Sequence, residues 1–222
     1  MQKTNQPIEP SQAGAESYLE AIFVLTTEGR PAQAARIAEY LAVTPVSVSR
    51  ALSRLEKNGD LLSRVPEVRL SAQGWARAEA IVRRHRLAER WLSDKLGLSL
   101  VEAHREAERL EHALSERVEQ ALWEDLGRPL TCPHGNPIPG LASEPLPLLP
   151  AIPLERAQPG RYCVDRIYEQ LEGLEERLQW VEDAGLLPGV SFTLESDRRV
   201  TIQGVPIEVP EAVAAQLLVR EA

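Results

Sequence analysis

Residues 34–61 read AARIAEYLAVTPVSVSRALSRLEKNGDL, and they decide the fold of the first part of the chain. Two runs with apolar residues at helical spacing are separated by a short link. Thr44 and Pro45 provide an N-cap and a first-turn residue for the second run, and Gly59 provides its end. Two helices joined in this way predict a helix-turn-helix.

The residues on either side extend this motif. A helix with an apolar face precedes it, between Glu16 and Glu28, and two short β-like runs, LLSRV and EVRLS, follow it around Pro66. The pattern is typical of a winged helix-turn-helix, in which the second helix enters the DNA major groove. Arginine suits guanine edges and phosphates, and serine suits phosphates. The expected DNA-contacting residues are Thr44, Ser47, Ser49, Arg50, Arg54 and Arg64. A protein-interaction module with a solvated basic face remains the alternative.

Three of the four histidines lie in two segments with carboxylates at helical spacing. His85 is followed by Glu89, and the segment VEAHREAERLEH contains His104, Glu108, Glu111 and His112. On one continuous helix, those last four side chains fall within about 100° of arc. Imidazole nitrogen and carboxylate oxygen on one face indicate a first-row transition metal. With the DNA-binding pattern upstream, this favours a switch in which metal binding controls DNA binding.

Other interpretations of these histidines stay open. A single His–Glu pair is more often part of a solvated helix face with i,i+4 pairs. A helical dinuclear metal enzyme is the catalytic alternative, but neither segment has the Glu-x-x-His spacing of that class, and we expect no enzyme. His134 is expected to be an ordinary loop histidine rather than a ligand. Neither Cys132 nor Cys163 has a catalytic or zinc-binding spacing.

The composition limits the classes of protein that fit. The chain has 222 residues, 43% hydrophobic and 26% charged, which is typical of globular proteins. It lacks an apolar run of the roughly 20 residues that span a bilayer, and its polar start and two cysteines predict a cytoplasmic protein without a membrane partner. A formal net charge of −8 argues against a general polyanion binder, but it permits a locally basic DNA-binding face.

The chain is expected to be mainly α with small β parts, and candidate strands lie around Arg161–Val164, Ser191–Glu195, Arg199–Ile202 and Val205–Val209. We divide it into a winged helix-turn-helix domain (1–75), a helical metal-binding and dimerisation domain (76–140), a Pro-rich linker (141–153) and an SH3-like β-barrel domain (154–222). One helix is expected to end at Gly97 and the next to run from about Ser99 to Leu126. Their apolar surface exceeds what two helices bury, which predicts a homodimer. That surface comprises Trp91, Leu92, Leu96, Leu110, Leu114, Val118 and Leu122.

Taken together, five stretches resemble the family of metal-dependent repressors that contains the diphtheria toxin repressor and the manganese transport regulator. They are SYLEAIFVL, AARIAEYLAVTPVSVSRALSRLEKNGDL, RRHRLAERWL, AHREAERLEHALSERVEQAL and HGNPIPG, within residues 17–140. The resemblance implies a dimeric repressor of metal-homeostasis genes that binds a palindromic double-stranded operator when loaded with metal. The alternative without the metal is a metal-independent winged-helix regulator.

The resemblance also implies roles for particular residues. His85, Glu89 and His104 match one metal site of the family, and Glu108, Glu111 and His112 match a second, to which Glu20 contributes. Ser17, a poor ligand, stands where relatives place a methionine or an aspartate, so Glu16 or water is the substitute there. Two further sets are an anion pocket at Arg86 and Asn136, and a C-terminal metal ligand at Glu172 or Glu175. Because Glu108 stands where iron regulators have a cysteine and manganese regulators a glutamate, two Mn²⁺ ions per chain are expected, with Fe²⁺ as the alternative.

Overall fold

The computed structural model describes residues 14–140, 150–169 and 174–222, and it divides the chain into two compact units, residues 1–81 and 82–222. The helices are α1 (Ala15–Thr27), α2 (Ala34–Tyr40), α3 (Pro45–Lys57), α4 (Ala72–Leu96), α5 (Leu100–Leu110), α6 (Glu116–Asp125), α7 (Glu175–Asp183) and α8 (Glu211–Ala214). The strands are β1 (Leu61–Ser63), β2 (Arg69–Leu70), β3 (Ile152–Pro153), β4 (Gly160–Ile167), β5 (Ser191–Ser196), β6 (Arg199–Ile202), β7 (Val205–Glu208) and β8 (Leu217–Glu221).

In the first unit, α3 begins and ends as the sequence predicts. The Ser47 amide donates to the Thr44 hydroxyl oxygen at 3.2 Å, and Pro45 takes the first helical position. The helix buries Val48, Leu52 and Leu55 against the unit, which leaves its opposite side in solvent. Strands β1 and β2 then pair antiparallel and form the wing. The winged helix-turn-helix is therefore confirmed.

A buried polar network joins the end of α3 to the start of α4 within the first unit. The Asp60 side chain is fully buried and accepts from Arg77 at 2.6 Å and from Gln73 at 3.1 Å. The Ser71 hydroxyl caps α4 by accepting the Gly74 amide. A Cβ atom on Gly74 would lie 2.1 Å from the Asp60 carbonyl oxygen, so glycine allows α4 to contact this backbone directly.

The helical part of the second unit differs from the prediction at one point. The expected helix from about Ser99 to Leu126 is two helices, because α5 stops at Leu110 and α6 starts only at Glu116. Ser115 caps α6 by accepting the Val118 amide, and serine competes well for such caps. The prediction that His112 shares one continuous helical face with His104 is therefore wrong.

The β part of the second unit is a six-stranded antiparallel sheet in the order β3-β8-β4-β5-β6-β7. Its core also includes Leu100 and Val101 of α5, together with residues of α7. Sequence analysis predicted β4 to β7 but missed β8, and it placed Ile152–Pro153 in the linker, whereas this segment pairs with β8. The fold class of helices with small β parts is confirmed, while the bounds of the three domains and the linker stay predictions.

Across the described ranges, every helix is too short or too polar to traverse a lipid bilayer.

We predict that Gly74→Ala destabilises the first unit, although alanine normally stabilises a helix by roughly 0.5–1 kcal/mol over glycine. The added Cβ meets the Asp60 backbone at 2.1 Å, and overpacking of this kind costs about 1–3 kcal/mol. Denaturant unfolding measures the change. Ala76→Gly, on the exposed side of the same helix, is the control and should cost only about 1 kcal/mol. A Gly74→Ala protein as stable as the wild type would contradict the close contact.

Candidate metal centre and DNA interface

The Glu89 carboxylate lies at the centre of three imidazoles in the second unit. It is fully buried, and its Oε1 lies 3.0 Å from His85 Nε2 and 3.0 Å from His104 Nδ1. Its Oε2 lies 3.2 Å from His134 Nδ1. His85 Nε2 and His104 Nδ1 are themselves 3.2 Å apart. One acid thus bridges histidines from α4, α5 and the chain beyond α6.

Local sequence accounts for the convergence of the two helices. His85 and Glu89 are four residues apart on α4, so they share a face. Between α4 and α5 the buried contacts are made largely by alanines, namely Ala88, Ala103 and Ala107. Because these side chains are small, the helix backbones lie close enough for His104 to reach Glu89.

The third histidine comes from a short turn that the sequence analysis misjudged. Thr131 and Pro137 form an isolated antiparallel bridge, and the Cys132 amide donates to the Asn136 carbonyl at 2.9 Å. His134 is fully buried, and its Nδ1 lies 3.8 Å from Cys132 Sγ. His134 lies in a turn, as expected, but it is buried next to Glu89, so a ligand role for it becomes a proposal. The missed signal was Cys-x-His, two metal-binding residue types two positions apart in a turn.

Within the described residues of the second unit, two overlapping groups have the geometry of a metal site. The ligand atoms of His85, Glu89 and His104 lie within 4.8 Å of one another, and so do those of Glu89, Cys132 and His134. Both groups contain Glu89, so together they comprise five side chains. Imidazole, carboxylate and thiolate together suit a first-row divalent transition metal rather than calcium or magnesium. The donor set present therefore fits the metal that sequence analysis expected.

Electrostatics favour opposite charges on neighbouring groups here. Burial lowers the pKa of His85, but the Glu89 charge and hydrogen bonds to Glu111 and Glu89 outweigh it and raise the pKa well above 6.5. For Glu89, burial raises the pKa, but the charges of His134 and His85 and hydrogen bonds from His104 and His134 bring it well below 4.5. Protons and a metal ion therefore compete for the same atoms.

The second predicted ligand set is only partly assembled. Glu111 is buried, with its Oε2 2.6 Å from His85 Nδ1, and its Oε1 lies 3.3 Å from His112 Nε2. Glu108 Oε1 lies 3.8 Å from His104 Nε2, and its side chain is 53% exposed. Within the described part of this unit, the groups with ligand atoms in coordination range leave out Glu108 and His112.

The remaining predicted ligands belong to other segments of the chain. Glu20, Ser17 and Glu16 are on α1 of the first unit, so their part in the site stays a prediction. Glu175 pairs with Arg105 at 2.7 Å, and Glu172 lies outside the described residues.

The two residues of the predicted anion pocket are bound by groups of the chain itself. Arg86 donates to the Glu169 carboxylate at 2.6 Å and to the Pro137 carbonyl. Asn136 Nδ2 donates to the Ile167 carbonyl at 2.8 Å. In this structure Glu169 supplies the negative charge opposite Arg86, and binding of an external anion stays a prediction.

In the first unit, most of the predicted DNA-contacting side chains lie on the solvent side of α3. Ser47 is half-buried, and Arg64 of the wing donates to Ser53 at 3.2 Å and Glu56 at 3.5 Å, which holds it beside α3. The exposed members are Thr44, Ser49, Arg50 and Arg54. The arrangement leaves two arginines of one helix available to a polyanion.

Two family descriptions match the chain. "Iron dependent repressor, N-terminal DNA binding domain" matches residues 12–64, and "Iron dependent repressor, metal binding and dimerisation domain" matches residues 71–140. Together they cover more than half of the chain, and the second includes every residue of the Glu89 cluster.

Similar proteins fall into the same group. The chain is 44% identical over 100 residues to the diphtheria toxin repressor of Corynebacterium jeikeium, covering 45% of this chain and 42% of that protein. It is 45% identical over 103 residues to the iron-dependent repressor IdeR of Mycobacterium leprae, covering 45% and 44%. The chain thus matches less than half the length of these curated relatives.

Solved structures match over a longer stretch. A structure described as a manganese-dependent transcriptional repressor in complex with manganese has a TM-score of 0.82 and 28% identity, covering 94% of this chain and 100% of the other. The IdeR structure from T. acidophilum has a TM-score of 0.78 and 28% identity, covering 95% and 99%. The whole architecture, including the C-terminal sheet, is therefore shared.

We predict that Co²⁺ bound to this centre shows a thiolate-to-metal charge-transfer absorption, because Cys132 Sγ lies in one of the two ligand groups. Cys132→Ser should abolish the band. Cys163→Ser is the matched control, since this second cysteine is buried in β4, where its thiol donates to the Val164 carbonyl. Persistence of the band in Cys132→Ser, or its loss in Cys163→Ser, would exclude Cys132 as the ligand.

Proposed function

Because the chain belongs to the diphtheria-toxin-repressor family of metal-dependent transcriptional repressors, we propose that it is a homodimeric repressor of metal-homeostasis genes. Its binding to operator DNA depends on a divalent metal, with Mn²⁺ first and Fe²⁺ second. The observation that carries the proposal is the buried Glu89 cluster, in the same chain as an α3 helix that exposes Arg50 and Arg54. One part detects the metal and the other contacts DNA.

The ligands proposed for the metal are those that surround Glu89, with the remaining family positions as a second set. Glu89 belongs to one ligand group with His85 and His104 and to another with Cys132 and His134. Glu111 is hydrogen-bonded to the Nδ1 atom of His85. A bound divalent ion supplies the positive charge that these buried carboxylates otherwise obtain from protonated histidine. Two sites per chain follow if Glu108, Glu111, His112 and Glu20 hold the second ion, as the family resemblance implies.

The identity of the metal depends on donors of different character. The carboxylate at Glu108 favours the harder Mn²⁺, while the thiol of Cys132 favours softer and later ions. Similar proteins have been described with different metals, among them one with manganese and ScaR with Zn²⁺. Since later divalent ions bind most sites more tightly, affinity alone does not identify the physiological ion. Mn²⁺ and Fe²⁺ therefore have to be compared by their effect on DNA binding.

Charge and shape in the first unit favour DNA as the partner. The chain carries a formal net charge of −8, so attraction to phosphates depends on the local basic face of α3 and the wing. Arg50 lies in the second turn of α3, the part of a recognition helix that reaches base edges. Double-stranded DNA is the partner that this combination fits.

Apolar surface in the second unit favours a homodimer. Leu96 and Val118 are 53% and 44% exposed, and Trp91, Leu110 and Leu114 are only partly covered. Exposed apolar side chains on neighbouring helices are typical of a protein interface. A twofold dimer presents two recognition helices, which is why a palindromic operator is expected.

Fluorescence anisotropy of a labelled operator, selected from random duplexes in the presence of Mn²⁺, tests the proposal. Titration with Mn²⁺, Fe²⁺, Co²⁺ and Zn²⁺ in separate experiments should raise DNA affinity about 5- to 150-fold, the usual range of coupling between two sites. Glu89→Gln should lower metal affinity at least 10-fold and reduce this gain, because the central carboxylate charge is lost. Glu106→Gln, at a partly exposed glutamate of α5 that pairs with Arg109 at 2.6 Å, is the matched control. DNA affinity that is equal with metal and with chelator would indicate a metal-independent regulator.

Arg50→Ala should weaken operator binding by about 1–3 kcal/mol, or roughly 5- to 150-fold in Kd, because an exposed arginine of α3 is removed. Metal binding, followed by the Co²⁺ spectrum, should be unchanged. Arg199→Ala removes an exposed arginine of the same type from β6 and should leave both measurements at wild-type values. An unaltered Kd in Arg50→Ala would remove this residue from the DNA interface.

A further inference from the structure

Strand β4 ends against the turn that carries Cys132 and His134. The Ile167 amide donates to the His134 carbonyl at 2.9 Å, and the Ile167 carbonyl accepts from Asn136 Nδ2 at 2.8 Å. The amide and the carbonyl of Ile167 therefore both hydrogen-bond to the turn rather than to solvent. The C-terminal sheet thus hydrogen-bonds directly to the segment that presents a metal ligand.

Gly135 lies at the closest point of this contact. Its φ is +86°, and a Cβ atom there would lie 2.5 Å from the Asp165 carbonyl oxygen and 2.9 Å from the Arg166 Cα. The ladder between β4 and β8 is irregular between Val164 and Arg166, at the same point of the strand. The turn and the strand backbone are in contact without an intervening side chain.

Arg86 ties the same two segments to α4. Its guanidinium donates to the Glu169 carboxylate, two residues beyond β4, at 2.6 Å, and also to the Pro137 carbonyl of the turn. Both side chains of this ion pair are 7% exposed. Arg86 follows His85 directly, so the turn, the end of β4 and the ligand-bearing part of α4 are joined through one buried side chain.

We propose that the C-terminal sheet positions the metal centre through this turn. We define the turn–strand contact by Gly135, Asn136, Ile167 and the Arg86–Glu169 pair. This contact holds His134 and Cys132 toward Glu89. The sheet contributes in this way by holding the turn that presents the ligands, and its packing and the metal affinity are linked. The inference rests on the proposed metal binding, and it assigns Gly135 and Asn136 as positioning residues.

The linkage works in both directions. If the sheet stabilises the turn in its metal-binding arrangement, then metal bound to the turn must stabilise the contact with the sheet by the same free energy. The Ile167 amide reports on this directly, because its hydrogen exchanges with solvent only when its bond to the His134 carbonyl opens. A role limited to maintaining the fold would leave the exchange of this amide independent of the metal.

Gly135→Ala in the full chain tests the proposal, with Co²⁺ as the probe. We expect a 10- to 100-fold loss of Co²⁺ affinity, the range found when groups that orient metal ligands are changed, and a weaker thiolate band. Gly204→Ala is the matched control: Gly204 also has a positive φ, of +85°, but its Cβ would meet nothing within 4 Å. Both variants place alanine at nearly the same φ, so a difference between them reports on the contact with Asp165 and Arg166.

Asn136→Ala provides a second variant if Gly135→Ala does not fold, because it removes the side-chain hydrogen bond to the Ile167 carbonyl and adds no atom to the turn. It should lower Co²⁺ affinity in the same direction, and in the wild type Mn²⁺ should slow amide exchange at Ile167. Wild-type Co²⁺ affinity in folded Asn136→Ala, or exchange at Ile167 that does not respond to Mn²⁺, would overturn the inference. A wild-type protein that binds neither ion would instead overturn the proposed function.

Discussion

The second unit depends on one buried carboxylate that has to be neutralised. Glu89 is fully buried, and leaving such a charge without compensation costs about 3–5 kcal/mol. Histidines supply the compensation here, and each can carry either a proton or a metal ion. The histidines that stabilise the buried charge are therefore also the groups that can bind a metal ion. Because the compensating groups come from α4, α5 and the turn at residues 131–137, a change at Glu89 reaches three separate segments.

Much of the fold could be predicted because its signals are local. The N-cap at Thr44, the end of α3 at Gly59 and the capping box of Ser99 with Glu102 each depend on residues within one helical turn. Strands with clear turns between them, β5 to β7, were predicted for the same reason. By contrast, β3 and β8 form an edge whose partners are far apart in sequence, and neither segment has a distinctive pattern of its own.

The candidate site was predicted only in part, for a comparable reason. His85, Glu89 and His104 share helical spacing, so the sequence pointed to them. Cys132 and His134 lie in a turn that hydrogen-bonds to β4, and contacts of this kind give no periodic pattern in the sequence. The prediction for His112 was wrong for the opposite reason. Its spacing fits a continuous helix, but the helix does not continue, and Ser115 caps a new one. Spacing predicts ligands only where the secondary structure itself is uninterrupted.

The composition of the centre also bears on how selective it can be. A site built only from carboxylates and imidazoles would bind later ions such as Zn²⁺ more tightly than Mn²⁺ or Fe²⁺, and a thiol strengthens that bias. Discrimination has to come from geometry, and geometry is set by the segments that hold the ligands. In this chain two of the five clustered side chains, Cys132 and His134, lie on a turn that hydrogen-bonds to the C-terminal sheet. If the sheet positions this turn as proposed, the sheet as well as the helices sets how far the cluster can contract around a smaller or softer ion.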